Sequence, residues 1–221
     1  MTYGGPINVD YESTNVTNVT YEIFDSEGNS IVNGTVGPNG TIPVDQLPVG
    51  NYTVNWTTIV DGNHTPNTNT SVIIVNPAPS TVEGEDQNVT YGDPIVVPVT
   101  SENATEIIYQ IIDENGTVVT NGTIKPGENI TDLILPVGNY TVNLTTVVDG
   151  NHTPATNTST ITVNPAPSTV EGENVTVYYG EPINVNYTSE NATEVTYVIY
   201  DKDGNPVANG TVSPNGTILV D

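Results

Sequence analysis

The chain repeats itself every 88 residues without a gap, and this repeat constrains the fold more than any other feature. The peptide PVGNYTVN occupies positions 48–55 and 136–143, and DGNHTP occupies 61–66 and 149–154. A period of this length, with turn residues inside each copy, indicates tandem domains and not a solenoid of short repeats. The repeated peptides are therefore expected to build the same local structure in each domain.

The matches divide the chain into three repeats, 1–76, 77–164 and 165–221. Only the second contains every repeated segment. The first lacks residues matching STVEGEDQNVT, and hence a first strand, while the third stops before PVGNYTVN and is truncated. We therefore expect the sequence to be a window on a longer array. Pro77 and Pro79 favour extended backbone at the joint, which predicts a short, stiff connector.

Within each repeat, apolar and polar residues alternate with a period of two, which is typical of half-buried strands. About seven short strands, separated by Asp- and Gly-containing turns, predict an all-β fold of two-sheet antiparallel sandwiches. Tyr52 and Tyr140 have the spacing of a tyrosine corner, in which the ring enters the core and the hydroxyl bonds upstream backbone. The predicted inward set of the second repeat is Ile95, Val97, Val99, Ile107, Tyr109, Ile111, Tyr140, Val142 and Leu144.

Charge and composition exclude several classes of partner. The net charge is −24, with two basic residues and no Arg, so the chain cannot neutralise a phosphate backbone and we expect no nucleic acid partner. The same charge disfavours anionic membranes, and the lack of an apolar run of 18 residues predicts no membrane insertion in this segment. The absence of Cys excludes disulfides and thiolate metal sites.

Three segments together resemble a known family. They are YGDPI at 91–95, the Leu-x-x-Gly-Asn-Tyr-Thr-Val pattern at 135–142, and DGNHTPATNTSTITVN at 149–164. In this order they are similar to the immunoglobulin-like repeats of the large adhesin-like surface proteins of methanogenic archaea. The resemblance implies tandem immunoglobulin-like domains in an extracellular, cell-surface protein of a strict anaerobe. It implies no catalytic residues.

Asn-x-Ser/Thr sequons are abundant. They include 22 of the 29 Asn residues, whereas chance would give about six, and glycosylation at such sequons requires surface exposure. An alternative explanation is that Asn and Thr simply solvate strand faces and turns. The candidate N-glycosylation sites are Asn15, Asn33, Asn51, Asn55, Asn63, Asn103, Asn121, Asn139, Asn143, Asn151, Asn191 and Asn209.

Acidic residues cluster near each joint and are calcium candidates, because Ca²⁺ prefers oxygen ligands. The alternative is solvated charge beside a connector that proline already stiffens, and we expect no cofactor. His64 and His152 are explained by a loop copied twice. No arrangement of Ser, His and acid residues is legible, so the sequence predicts no enzyme. The calcium candidates are Glu83, Glu85, Asp86, Glu171 and Glu173.

These features favour a non-catalytic structural stalk or surface fibre. The alternative is an adhesion module whose loops or exposed face bind glycans or a host surface. Near-identical loops favour spacing over selective recognition, and aromatic platforms for sugars are few. The expected partners are the continuation of the same chain or neighbouring copies in a fibre, with a surface glycan or cell partner as a further possibility.

Overall fold

The computed structural model describes residues 1–220, and every regular element in it is a β-strand. No helix in this range is long and apolar enough to cross a membrane. The chain forms two compact units. The first contains residues 1–87, 94–134 and 138–162, and the second contains residues 88–93, 135–137 and 163 onward.

Residues 1–76 form six strands in two antiparallel sheets. One sheet has the order β3-β2-β5-β6, and the other pairs β1 with β4. Buried apolar side chains from both sheets form one core cluster, as expected of a sandwich. The strands are β1 (Ile7–Tyr11), β2 (Asn18–Phe24), β3 (Ser30–Val36), β4 (Gly40–Val44), β5 (Gly50–Ile59) and β6 (Thr68–Val75).

Residues 77–164 contain the most strands. One sheet has the order β13-β12-β15-β17-β9, and three two-stranded ladders pair β8 with β11, β10 with β14, and β7 with β16. The strands are β7 (Ala78–Pro79), β8 (Thr81–Gly84), β9 (Gln87–Thr90), β10 (Ile95–Val97), β11 (Val99–Glu102), β12 (Glu106–Asp113), β13 (Val118–Ile124), β14 (Ile130–Leu133), β15 (Gly138–Val147), β16 (His152–Thr153) and β17 (Thr156–Asn164).

The third repeat forms a sheet of order β18-β19-β22 and a hairpin of β20 and β21. Its strand β19 is continuous, whereas the matching residues of the second repeat are split into β10 and β11 at Pro98, which lacks the N–H that a ladder needs. The strands are β18 (Thr169–Gly172), β19 (Ile183–Glu190), β20 (Val195–Tyr200), β21 (Pro206–Val212) and β22 (Gly216–Val220).

The all-β architecture is as predicted, and its main sheets are antiparallel, although β7 and β16 pair in parallel. The assigned strand register is confirmed for eight of the nine inward residues. Those eight are all buried, which excludes a one-residue slip because a slip would move each side chain to the other face. Tyr109 differs: it is only half-buried, because its ring lies across Gly122, its partner on β13. The eight are Ile95, Val97, Val99, Ile107, Ile111, Tyr140, Val142 and Leu144.

The same Tyr–Gly pair recurs in every repeat. Tyr21 faces Gly34, Tyr109 faces Gly122 and Tyr197 faces Gly210 in the register of the hairpin. A Cβ on any of these glycines would lie within 3.0 Å of the facing ring. The aromatic ring therefore covers backbone that the glycine leaves bare, which helps to fix the hairpin register.

Candidate functional site: the joint between the first two repeats

The loop Asp149–Pro154 is held together by the side chain of its first residue, Asp149. The Asp149 carboxylate accepts the backbone N–H of Asn151 at 2.8 Å, and its Oδ1 lies 2.6 Å from Nδ1 of His152. These bonds, with that from the Asn151 backbone the strongest, hold the pKa of Asp149 below its ordinary value. The loop is therefore held in one conformation by its own side chains.

The first repeat carries the same loop with the same internal bonds. Asp61 accepts the backbone N–H of Asn63 at 2.9 Å, and its Oδ1 lies 2.7 Å from Nδ1 of His64. The pKa of Asp61 is lowered, chiefly by the His64 side chain. The two copies thus have the same local structure, and any difference between them arises from their surroundings.

In the second repeat, the loop pairs with the proline-containing connector. Strands β7 and β16 form a short parallel ladder, in which the N–H of Ala78 donates to the carbonyl of Asn151 at 3.0 Å and that of Ser80 donates to Thr153 at 3.1 Å. The Ser80 hydroxyl also donates to the carbonyl of Thr153 and lies 2.8 Å from the Thr146 hydroxyl. Ala78 and Ser80 are buried, so the connector is part of the packed structure.

The same loop reaches the end of the first repeat. Oδ1 of Asn151 accepts the backbone N–H of Val49 at 2.9 Å, and the His152 ring lies edge-on to the Tyr3 ring with a centroid distance of 5.4 Å. The N–H of Tyr3 donates to the carbonyl of Asn76 at 2.8 Å, which anchors that ring. The His152 side chain is accordingly only 14% exposed, against 43% for His64.

The PVGNYTVN peptide of the first repeat supplies the Val49 N–H of this contact. Tyr52 is buried, and its hydroxyl donates to the carbonyl of Pro48 at 2.8 Å. Burial, followed by the nearby Asp25 charge, raises the pKa of Tyr52. The corner fixes the backbone on either side of Val49, and Val49 is the residue that donates to Asn151. Tyr140, the matching residue of the second repeat, is also buried.

The calcium candidates do not come together. Within residues 1–220 there is no group of three or more His, Cys, Asp or Glu side chains that could hold a metal ion. Asp86 accepts the backbone N–H and the hydroxyl of Thr160, and Glu173 accepts the Asn186 amide. Glu83 lies on β8, Glu171 on β18, and Glu85 donates its N–H to the carbonyl of Pro98.

Most of the sequon residues are exposed, but they differ in what their side chains do. Asn103 and Asn191 have left-handed backbone and donate their amides to the carbonyls of Pro79 and Pro167. Asn139 donates to Glu114. Asn143 and Asn151 are half-buried, and the other candidates are exposed: Asn15, Asn33, Asn51, Asn55, Asn63, Asn121 and Asn209.

The first repeat also contains a cavity of about 570 Å³ beside Trp56. The Trp56 indole donates to the Ser71 hydroxyl at 2.9 Å and stacks on Tyr11 with a centroid distance of 5.1 Å. Asp10, Glu12 and His64 also line it. The second repeat differs at the matching position, because Gly84 of β8 lies against Leu144 and Ser159 there.

Sequence reasoning missed the joint. It explained the His residues by copying and did not place Tyr3, Val49 or Ser80 in any site. One signal was available: DGNHTP is identical in both copies, whereas the hairpin turns DSEG and DENG differ between them. An unchanged surface loop indicates a constraint beyond turn geometry.

No protein-family model matches this chain, and no curated protein matches it either. Among solved structures, it is similar to fibronectin(III)-like modules of CbhA from Clostridium thermocellum, with 15% identity and a TM-score of 0.33 over 74% of this chain and 88% of that one. It is also similar to FN1–FN3 of chicken CNTN1, with 11% identity and a TM-score of 0.32 over 100% and 88% of the respective chains.

A third similar structure is the BSP domain of a biofilm-associated protein, with 22% identity and a TM-score of 0.26. That match covers 75% of this chain but only 28% of the other.

Proposed function

We propose that this chain is a non-catalytic segment of an extracellular, cell-surface, adhesin-like protein, and that its tandem immunoglobulin-like domains act as a stalk or fibre. One observation carries the proposal: equivalent residues perform the same structural task in successive repeats. The Tyr–Gly pair recurs in three repeats, and the strands that hold its glycine, β3, β13 and β21, occupy matching positions. Residues that recur in this way stabilise each repeat, and such recurrence is typical of proteins built from like repeats joined in series.

The proposal is tested by adding one repeat. A second copy of residues 77–164 inserted after Asn164 recreates the natural Val-Asn-Pro-Ala-Pro connector. A stalk predicts that the longer protein folds and that its maximum dimension in small-angle scattering increases by about the length of one repeat. An unchanged maximum dimension would contradict a stalk, because the added domain would then be folded back on its neighbours.

A second candidate function, a glycan- or surface-binding adhesion module, is favoured by the cavity beside Trp56. Its volume lies in the range of ligand sites, and its lining offers carboxylate and hydroxyl groups, which hydrogen-bond sugar hydroxyls, beside the buried Trp56. Trp56 is the only Trp, so its fluorescence reports directly on this cavity. Saturable emission changes with a monosaccharide or oligosaccharide panel would favour the adhesion module, and an unchanged emission would favour the stalk.

We also propose that the native protein is N-glycosylated at its exposed sequons. Asn33, Asn121 and Asn209 share one repeat position and are all exposed on a strand. Asn151 should stay bare, because it is half-buried and its side chain accepts the Val49 N–H. Glycopeptide mass spectrometry of native material tests this. Bare peptides at all three strand positions would contradict glycosylation, and a glycan on Asn151 would contradict the rule that occupancy follows exposure.

A further inference from the structure

The two DGNHTP loops constitute an internal comparison. Their sequences and their Asp-centred bonds are the same, so the intrinsic stability of the loop is matched. Their surroundings differ: residues 61–66 are all exposed, whereas Asn151 and His152 are half-buried against the first repeat. The difference in side-chain exposure between the two copies therefore shows the effect of contact with the end of a neighbouring repeat.

The contact has the properties of a specific interface. It combines a directional hydrogen bond from Val49, an edge-to-face ring pair and a short backbone ladder with the connector. Edge-to-face ring pairs and backbone bonds both restrict relative orientation, so they select one geometry. Because Asp149 already holds the loop in shape, docking costs little conformational entropy.

We propose that the Asp149–Pro154 loop is a latch that fixes the orientation of the second repeat on the first. Its contact residues are Asn151 and His152, and its partner is the end of an immunoglobulin-like repeat that presents a Tyr ring and the N–H of a Pro-Val-Gly corner. The Pro-Ala-Pro-Ser connector that follows this end pairs with the loop from within the second repeat. This inference goes beyond the proposed function, since a stalk and an adhesion module would both use such a joint.

The test uses the full 221-residue chain and matched variants. Asn151→Ala removes the acceptor of the Val49 N–H, and Asn63→Ala makes the same change in the exposed copy. Amide hydrogen exchange at Val49 is measured by NMR. We expect about tenfold faster exchange at Val49 in Asn151→Ala, and an unchanged rate in Asn63→Ala. Equal rates at Val49 in wild type and Asn151→Ala would overturn the latch.

A double-mutant cycle examines the ring pair from both sides. Tyr3→Ala and His152→Ala should be coupled in thermal stability, so the double variant loses less than the sum of the two single losses. The pair Tyr3→Ala and His64→Ala should be additive, because His64 lies in the copy of the loop whose residues are all exposed. Additivity in both cycles would contradict the proposal.

Residual dipolar couplings of the wild-type protein give a measurement that does not depend on any variant. A closed latch predicts that the amides of residues 1–76 share one alignment tensor with those of residues 94–134 and 138–162. Two different tensors would show independent motion and overturn the inference, even if every variant failed to fold.

Discussion

Tyr52 joins the core of the first repeat to the corner that precedes β5. Its ring is buried and its hydroxyl donates to the Pro48 carbonyl, four residues upstream. The bond closes a tight corner in which Pro48 already restricts the backbone. A single hydroxyl thus helps to orient the segment that carries the Val49 N–H toward the joint.

Tyr52→Phe should lower the free energy of unfolding by about 1 kcal/mol, because it leaves the Pro48 carbonyl without this donor. Tyr200→Phe is the control, since Tyr200 is 60% exposed. Thermal denaturation measures both. Because the pKa of Tyr52 is raised, the stability that this residue contributes should depend on pH. Its contribution is complete below the unfolded pKa, about 10, and is lost as pH rises toward the folded pKa. An equal melting temperature for Tyr52→Phe and wild type would contradict the role of this bond.

Asp113 closes the β12–β13 hairpin by accepting the backbone N–H groups of Asn115 and Thr117 at 2.9 and 2.8 Å. These bonds, Thr117 first, lower its pKa. The stability it contributes is therefore present above the unfolded pKa, about 3.9, and lost as pH falls through the folded value.

Asp113→Ala should consequently melt below wild type at pH 7, and the gap should narrow at pH 2. Asp113→Asn keeps one acceptor oxygen and should fall between the two at pH 7. Melting temperatures at both pH values test this order. A gap that stays constant with pH would show that the carboxylate charge contributes nothing to the turn.

At the scale of elements, the Tyr–Gly pairs fix how the hairpins align. A Cβ on Gly122 would lie 2.6 Å from the Tyr109 hydroxyl oxygen and 2.8 Å from its ring carbon Cε1. Gly122→Ala should therefore destabilise the protein by about 1–3 kcal/mol through overpacking. Gly62→Ala is the control, because nothing lies within 4 Å of its Cβ position. Chemical denaturation measures the free energy of unfolding of both variants. Similar losses in the two variants would mean that the Tyr109 ring moves aside at little cost.

The sequence predicted the strands and their faces because both depend on local alternation. It placed Ile107, Ile111 and Val142 correctly for that reason. It misplaced Tyr109, since alternation assigns a face but does not distinguish a ring in the core from one lying over a glycine across the hairpin. The split of one strand into β10 and β11 was also missed, although Pro98 was visible in the sequence.

The joint could not be derived in the same way. The Asn151–Val49 bond links residues that are 102 positions apart and lie in two different sequence repeats. No local period encodes such a pairing. The parallel ladder of β7 and β16 is equally non-local, so the sequence predicts only a short, stiff connector at Pro77 and Pro79 and says nothing of its pairing.

At the scale of the whole molecule, repulsion between like charges opposes folding. The net charge is −24, and the one Lys–carboxylate ion pair found within residues 1–220, Lys202–Asp203, is exposed and contributes little. Raising NaCl from 10 mM to 500 mM should raise the melting temperature, because salt screens that repulsion.

CaCl₂ at the same ionic strength is the control for specific ion binding. A rise like that with NaCl would indicate screening alone, and a much larger one would indicate a calcium site. A melting temperature that falls with NaCl would contradict the dominance of repulsion.

The pairing of β12 with β13 should also affect where the chain deamidates. Asn-Gly sequences deamidate when the glycine nitrogen attacks the Asn side-chain carbonyl, a ring closure that requires a mobile backbone. Asn121-Gly122 lies within β13, where the ladder and the Tyr109 ring hold the glycine. Asn115-Gly116 lies in an exposed turn, where the Gly116 N–H donates to the Asp113 carbonyl but no ring covers the glycine. During prolonged incubation, aspartate and isoaspartate should therefore accumulate at position 115 well before position 121, and Asn residues within the paired strands should deamidate last.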